Sequence, residues 1–159
     1  MFLLEVAKVL AKHNITYAIV GGYAVALHGV VRGTVDIDLA IAMDAKSFEK
    51  IETALKEIGL ESRLPLKASE VFEFRTEYAT RKNLMAWSFV DPSNPLHQID
   101  VMTLLDAKKI NKIHKKIQGT SVPVASLKDL IEIKEAAGRP QDIEDVRALK
   151  SLLGVRDEN

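Results

Sequence analysis

Cysteine is absent from this 159-residue chain, which excludes a disulfide scaffold, a thiolate metal site and a cysteine nucleophile. An excess of either charge sign is missing too: 22 Lys and Arg balance 22 Asp and Glu, for a formal net charge of zero. Architectural nucleic-acid binders are basic overall, so that class is disfavoured and contact with nucleic acid would need a local patch. No apolar run approaches the roughly 18 residues of a membrane span. The opening Met1-Phe2-Leu3-Leu4-Glu5 lacks the basic start of a signal peptide, and a cytoplasmic protein is expected. Internal repeats and low-complexity tracts are lacking. What is present is a hydrophobic fraction of 47%, enough to build a core and incompatible with general disorder. The length suits a single domain over 1–159, with an α/β core over about 1–124 and a helical part over 125–155.

Hydrophobic periodicity divides the chain. Leu3, Val6, Ala7 and Leu10 predict an amphipathic helix over 1–13, and 45–58 reads as a second helix closed by Gly59. Between them, 16–20 is a short β-prone run ending at Gly21-Gly22, 23–27 a short helix, and 35–43 a strand. Three further strands are expected over 71–78, 84–90 and 97–104, separated by turn residues, then a basic helix from Asp106. Residues 120–124 read as an edge strand because of Pro123. Ser126 caps a helix ended by Gly138, and Pro140 opens a last helix to about Leu153. This order implies a mixed α+β domain around one sheet.

Two acids interrupt an otherwise ideal strand. In 35–42, alternation sends Val35, Ile37, Leu39 and Ile41 to one face, and Asp36, Asp38, Ala40 and Ala42 to the other. The two carboxylates then lie about 7 Å apart on the same side. Like charges that close raise each other's pKa unless a cation lies between them, and a hard divalent ion takes oxygen ligands. A solvated outer face is the plainer alternative. Gly21-Gly22, between strand and helix, permits a tight turn and close backbone approach to an anion, or is simply that turn. Asp100 is a third acid in an apolar strand, on the face of Gln98 and Met102. If the two strands are neighbours, three carboxylates meet, and such a cluster can hold two divalent ions on a triphosphate.

Val20-Gly21-Gly22, thirteen residues, then Asp36-Ile37-Asp38-Leu39, with Asp100 later, resembles the nucleotidyltransferase signature of the DNA polymerase beta superfamily. More closely, Gly21 to Gly29 with Arg32, Thr34, Asp36 and Asp38, and the tail Leu130-Ile131-Glu132-Ile133-Lys134 through Arg139-Pro140, Asp142 and Asp145, resemble small stand-alone nucleotidyltransferases that include the AbiEii-type toxins. The resemblance implies an α+β nucleotidyltransferase fold, a mixed central sheet flanked by helices with further C-terminal helices. It also implies nucleotide phosphates at Gly21 and Gly22, two Mg²⁺ ions on Asp36, Asp38 and Asp100, a phosphate contact from Lys134, and Asp142 as a supporting acid. Asp145 fits that last position as well.

Plainer readings stand beside these. Lys134 is a surface lysine or a phosphate ligand. Arg32, with the parity of Thr34 and Asp36, reaches phosphate or neutralises the acids. His28 caps or packs, Asp142 and Asp145 suit a helix N-terminus in any case, and Trp87 beside Phe89 suits a core. Residues 106–118 carry five lysines against one acid, either a solvated face or a guide for a polyanion such as tRNA. Glu132-Ile133-Lys134 matches half of a nuclease motif that belongs on a strand, yet it falls in a helical pattern.

The expected activity is Mg²⁺-dependent transfer of a nucleoside monophosphate from an NTP such as ATP to a hydroxyl of RNA, protein or a small molecule. Asp100 is the expected base. A toxin–antitoxin setting with a cognate partner protein follows from the resemblance. The alternative is an inactive nucleotidyltransferase fold serving as a binding or antitoxin-like partner.

Overall fold

The computed structural model describes residues 1–158, with side chains to Gly154. The alternation of apolar residues in β2 (Ile37–Ile41) and β5 (Asn94–Asp106) makes them the centre of a seven-stranded sheet. Its other strands are β1 (Tyr17–Val20), β3 (Glu61–Ser62), β4 (Ala86–Asp91), β6 (Lys112–Ile117) and β7 (Thr120–Ala125), in the order β3-β4-β5-β2-β1-β7-β6. β2 runs antiparallel to β1 and parallel to β5, so the sheet is mixed.

Cross-strand partners share a face. Ile19, Leu39, Val101 and Trp87 are successive partners across β1, β2, β5 and β4, and all are fully buried. Against that face packs α3 (Ala45–Glu57), whose Phe48 stacks on Trp87 with ring centroids 5.7 Å apart. Asp44 caps α3 by accepting from Ser47 N at 2.7 Å. α1 (Phe2–Lys12) and α4 (Ala68–Glu73) pack against α3. The opposite face carries Asp38 and Asp100 and meets α2 (Gly21–Leu27), α6 (Leu127–Ala137) and, through α6, α7 (Pro140–Glu158). Ser126 caps α6, and Gly138 ends it at φ +64°, as its sequence position suggested. No helix among the described residues is long and apolar enough to cross a membrane.

Three expectations are corrected. Residues 71–78 form helix, not strand: α4 is followed directly by α5 (Arg75–Lys82). The apolar residues there are spaced for a helix, with Ala68 and Val71 buried three positions apart and Phe72 edge-on to Phe48. The basic segment after Asp106 makes only a 3₁₀ turn (Ala107–Lys109) before β6. Gln118 and Gly119 both have positive φ and join Ile117 to Thr120, the two-residue hairpin geometry that suits twisted strands. Lys112, Lys115 and Lys116 are thereby split between two faces of a strand, with Lys108 and Lys109 in the turn before it, rather than gathered on one side of a helix. β7 is interior, not an edge. Pro123 faces His114 in the β6–β7 ladder, while pairing to β1 falls at Ile19–Val124, beyond the missing N–H.

Candidate active site

β2 is shorter than its apolar pattern suggests. It begins at Ile37, so Asp36 sits one residue ahead of it in a bend and Val35 is 56% exposed rather than part of the core face. Asp38 is the register partner of Val20 on one side and of Asp100 on the other. Parallel pairing thus brings two acids 62 positions apart in the chain side by side. Burial, then the charge of Asp100 and a hydrogen bond to it, then Asp36, push the Asp38 carboxyl up to about 7; Lys134 pulls weakly the other way. Burial and Asp100 raise Asp36 as well. Asp100 accepts on one oxygen, Oδ1, from Ser88 Oγ at 2.6 Å and Gln98 Nε2 at 3.0 Å.

Gly21 follows Val20 directly and therefore lies against Asp38. Its φ is +66°, and a Cβ built there would overlap the Asp38 carboxylate. A Cβ at Gly22 would overlap the Arg32 guanidinium and sit 2.9 Å from Thr34 Oγ1. Gly21 is thus required by contact as well as by its backbone conformation, whereas a side chain at Gly22 would have to displace Arg32.

The cations form a second layer. Lys134, 5% exposed on α6, is not a surface lysine. Its Nζ is 3.2 Å from Asp142 Oδ1 and 2.9 Å from Asp145 Oδ2. Arg32 Nε donates to Asp145 Oδ1 at 2.9 Å, and Arg139 Nε donates to Asp142 Oδ2 at 2.7 Å. Burial raises the pKa of both acids, but the hydrogen bonds and charges of Lys134, Arg139 and Arg32 outweigh it and hold them below the usual carboxylate range. Arg32 therefore neutralises an acid, but that acid is Asp145 and not the β2 pair. Asp142 and Asp145 both meet Lys134, where the resemblance implied one supporting acid. His28 is buried with Nε2 2.8 Å from the Ala125 carbonyl, a packing position. Trp87 is core, its Nε1 donating to Ser62 Oγ at 2.8 Å.

These groups open onto one cleft of about 710 Å³. Gly22, Arg32, Thr34, Asp36, Asp38, Asp100, Lys134 and Asp142 line it, and Gly21 lines the adjoining recess beside Asp38 and Lys134. Arg139, Gln141, Ala86 and Met102 also line it, and sequence reasoning did not give them a place there. The donor chemistry, hard carboxylate oxygens on neighbouring acids, fits a divalent cation. A finished cage is not formed: among the described residues, no three His, Cys, Asp or Glu side chains converge as a metal-holding group. Asp36 lies in the bend before β2, outside the register that pairs Asp38 with Asp100.

A family model described as aminoglycoside-2''-adenylyltransferase matches residues 2–149. The chain belongs to that family. It is a nucleotidyltransferase, in keeping with the strand-borne acids beside a glycine turn. Solved structures agree on the fold. A crystal structure of ANT(2'')-Ia in complex with adenylyl-2''-tobramycin has a TM-score of 0.63 at 16% identity, over 98% of this chain and 89% of that one. The lincosamide adenylyltransferase LnuA, bound to lincomycin, has a TM-score of 0.61 at 17% identity, over 95% and 96%. A nucleotidyltransferase-like protein from Paracoccidioides brasiliensis has a TM-score of 0.59 at 19% identity, over 97% of this chain and 73% of that one. No curated protein sequence matches the chain.

Proposed function

We propose that this member of the aminoglycoside-2''-adenylyltransferase family transfers a nucleoside monophosphate, adenylate first among the candidates, from an NTP to a hydroxyl of a small molecule. One arrangement carries the reading: Asp38 and Asp100 are partners in the sheet and face the same cleft as Gly22, Arg32 and Lys134. Acids that repel one another on one wall and cations on the other suit a triphosphate bound through divalent ions. ANT(2'')-Ia, solved with adenylyl-2''-tobramycin, and the lincosamide adenylyltransferase LnuA, solved with lincomycin, favour a small acceptor over RNA or protein.

Asp38 and Asp100, joined by Asp36, would hold Mg²⁺, which supplies Lewis-acid stabilisation of charge on the phosphates. Asp100 takes the proton of the acceptor hydroxyl. The freed oxygen attacks the α-phosphorus, a new P–O bond forms, and the bond to the bridging oxygen breaks so that pyrophosphate leaves with its electrons. Lys134, Arg32 and Arg139 attract the triphosphate. Asp142 and Asp145 hold those cations in place, and the bare Gly22 backbone lets phosphate approach closely.

The test is incubation of the purified chain with each α-labelled NTP and Mg²⁺, offering hydroxylated small molecules, cellular RNA and cellular protein as separate acceptors. Label in a small molecule with release of pyrophosphate is the expected result. Label entering RNA or protein instead would replace the acceptor class and restore a toxin-like role. No pyrophosphate release with any combination would overturn the activity.

A further inference from the structure

The two donors on Asp100 have no part in the mechanism above. Ser88 is the β4 register partner of Asp100, and Gln98 stands two residues before it on the same face of β5. Their side chains approach from different strands, at 2.6 and 3.0 Å, and converge on the same oxygen, Oδ1. A carboxylate with both oxygens free rotates about its terminal torsion through a broad, two-fold well. Two hydrogen bonds to one oxygen remove that freedom. Oδ2 is left as the oxygen that neither donor uses. Asp38 differs: its hydrogen bond is to Asp100 itself, and its carboxylate lies against Gly21.

We infer that Ser88 and Gln98 are positioning residues that clamp Asp100 through Oδ1, so that a single defined oxygen faces the reacting groups. The inference rests on the proposed role of Asp100. The chemistry is that of outer partners that orient carboxylates at metal and proton-transfer sites, whose loss costs about 10- to 100-fold in metal affinity or activity. Both donors are uncharged and supply directional N–H or O–H bonds, which is what orientation without change of net charge requires. The strand pairing makes the device rigid, because sliding Ser88 away from Asp100 would break the β4–β5 ladder.

Two variants and two readouts test it. Ser88→Ala removes one donor, and Ser88→Thr keeps the hydroxyl in a residue that suits a strand. For Ser88→Ala, kcat should fall about 10- to 100-fold with KM for NTP within about twofold, and Mn²⁺ affinity of the nucleotide-free protein should weaken by a similar factor. Ser88→Thr should recover most of both. The thermal midpoint of each variant reports any loss that is only structural. Wild-type kcat and Mn²⁺ affinity in Ser88→Ala, or equal deficits in the Ala and Thr variants, would overturn the clamp. Asp100→Ala, measured alongside, separates this from the broader reading. If it is inactive while Ser88→Ala is unchanged, the clamp alone fails. If it is fully active, the proposed role of Asp100 fails, and Mn²⁺ affinity then decides the clamp alone.

Discussion

Asp38 and Asp100 are register partners on neighbouring parallel strands, and burial, the Asp100 charge and a hydrogen bond to it all favour the protonated form of Asp38. The folded protein holds the Asp38 carboxyl near pKa 7, against 3.8 as the ordinary value. Between those values the folded state keeps a proton that the unfolded state has released. The contribution of Asp38 to stability is therefore fully present below about pH 3.8 and is lost as pH rises through about 7. In chelator, Asp38→Asn should raise the melting midpoint relative to wild type at pH 8 and change it little at pH 4.5. Mg²⁺ should raise the wild-type midpoint at pH 8 and leave the variant unmoved. Calorimetry at both pH values checks this, and an equal Asn effect at each would contradict it.

Removal of a carboxylate should separate activity from folding. Asp36→Ala and Asp38→Ala are expected to lower pyrophosphate release by about a thousandfold, the scale of several kcal/mol of lost charge stabilisation. Far-UV dichroism should stay as in wild type, since neither side chain belongs to the apolar face of the sheet. A rate within tenfold of wild type for Asp38→Ala would remove β2 from the reaction.

The glycine turn offers an internal control. Gly21 and Gly138 have nearly the same backbone, φ +66° and +64°, but only at Gly21 would a Cβ strike the Asp38 carboxylate; at Gly138 the nearest added contact is 3.7 Å away. Gly138→Ala should cost about 1–2 kcal/mol, the left-handed penalty alone. Gly21→Ala should cost more than that and should also abolish transfer by displacing Asp38. Equal costs in denaturant unfolding would show that the contact is relieved at no expense.

Much of the site was readable because it is built from local rules. Alternation in 35–42 put Asp36 and Asp38 together and off the core face, and two glycines after an apolar run marked the turn. The neighbouring of β2 and β5 followed from resemblance rather than spacing, since parallel pairing links segments about sixty residues apart and leaves no local trace. The misread segments share a cause. In 71–78 and 106–118 the charged residues obscure the period, and the structure is decided by tertiary contact or by a turn. Phe72 fits a helix because Phe48 is there to receive it. The lysines of β6 are in a strand because Gln118-Gly119 closes a hairpin. The burial of Lys134 was equally hidden: a lysine enters a core when carboxylates meet it, and Asp142 and Asp145 lie on another helix.

That buried lysine gives a stability prediction independent of catalysis. Lys134 has 6% of its side chain exposed and Asp142 and Asp145 have 2% and 3%, so removal of the cation leaves two carboxylates inside with Arg32, Arg139 and the Gln141 amide as their remaining partners. Breaking a buried pair from one side costs about 3–5 kcal/mol, mostly the penalty of the charge left behind. Lys134→Met should therefore destabilise the fold by about that amount. Asp142→Asn added to Lys134→Met should restore part of the loss, because the stranded charge is then removed along with its partner. A double-mutant cycle in urea measures the coupling. If the double variant is less stable than Lys134→Met by the full cost of Asp142→Asn alone, the two residues act independently, and the role assigned to Asp142 in holding Lys134 toward the cleft is wrong.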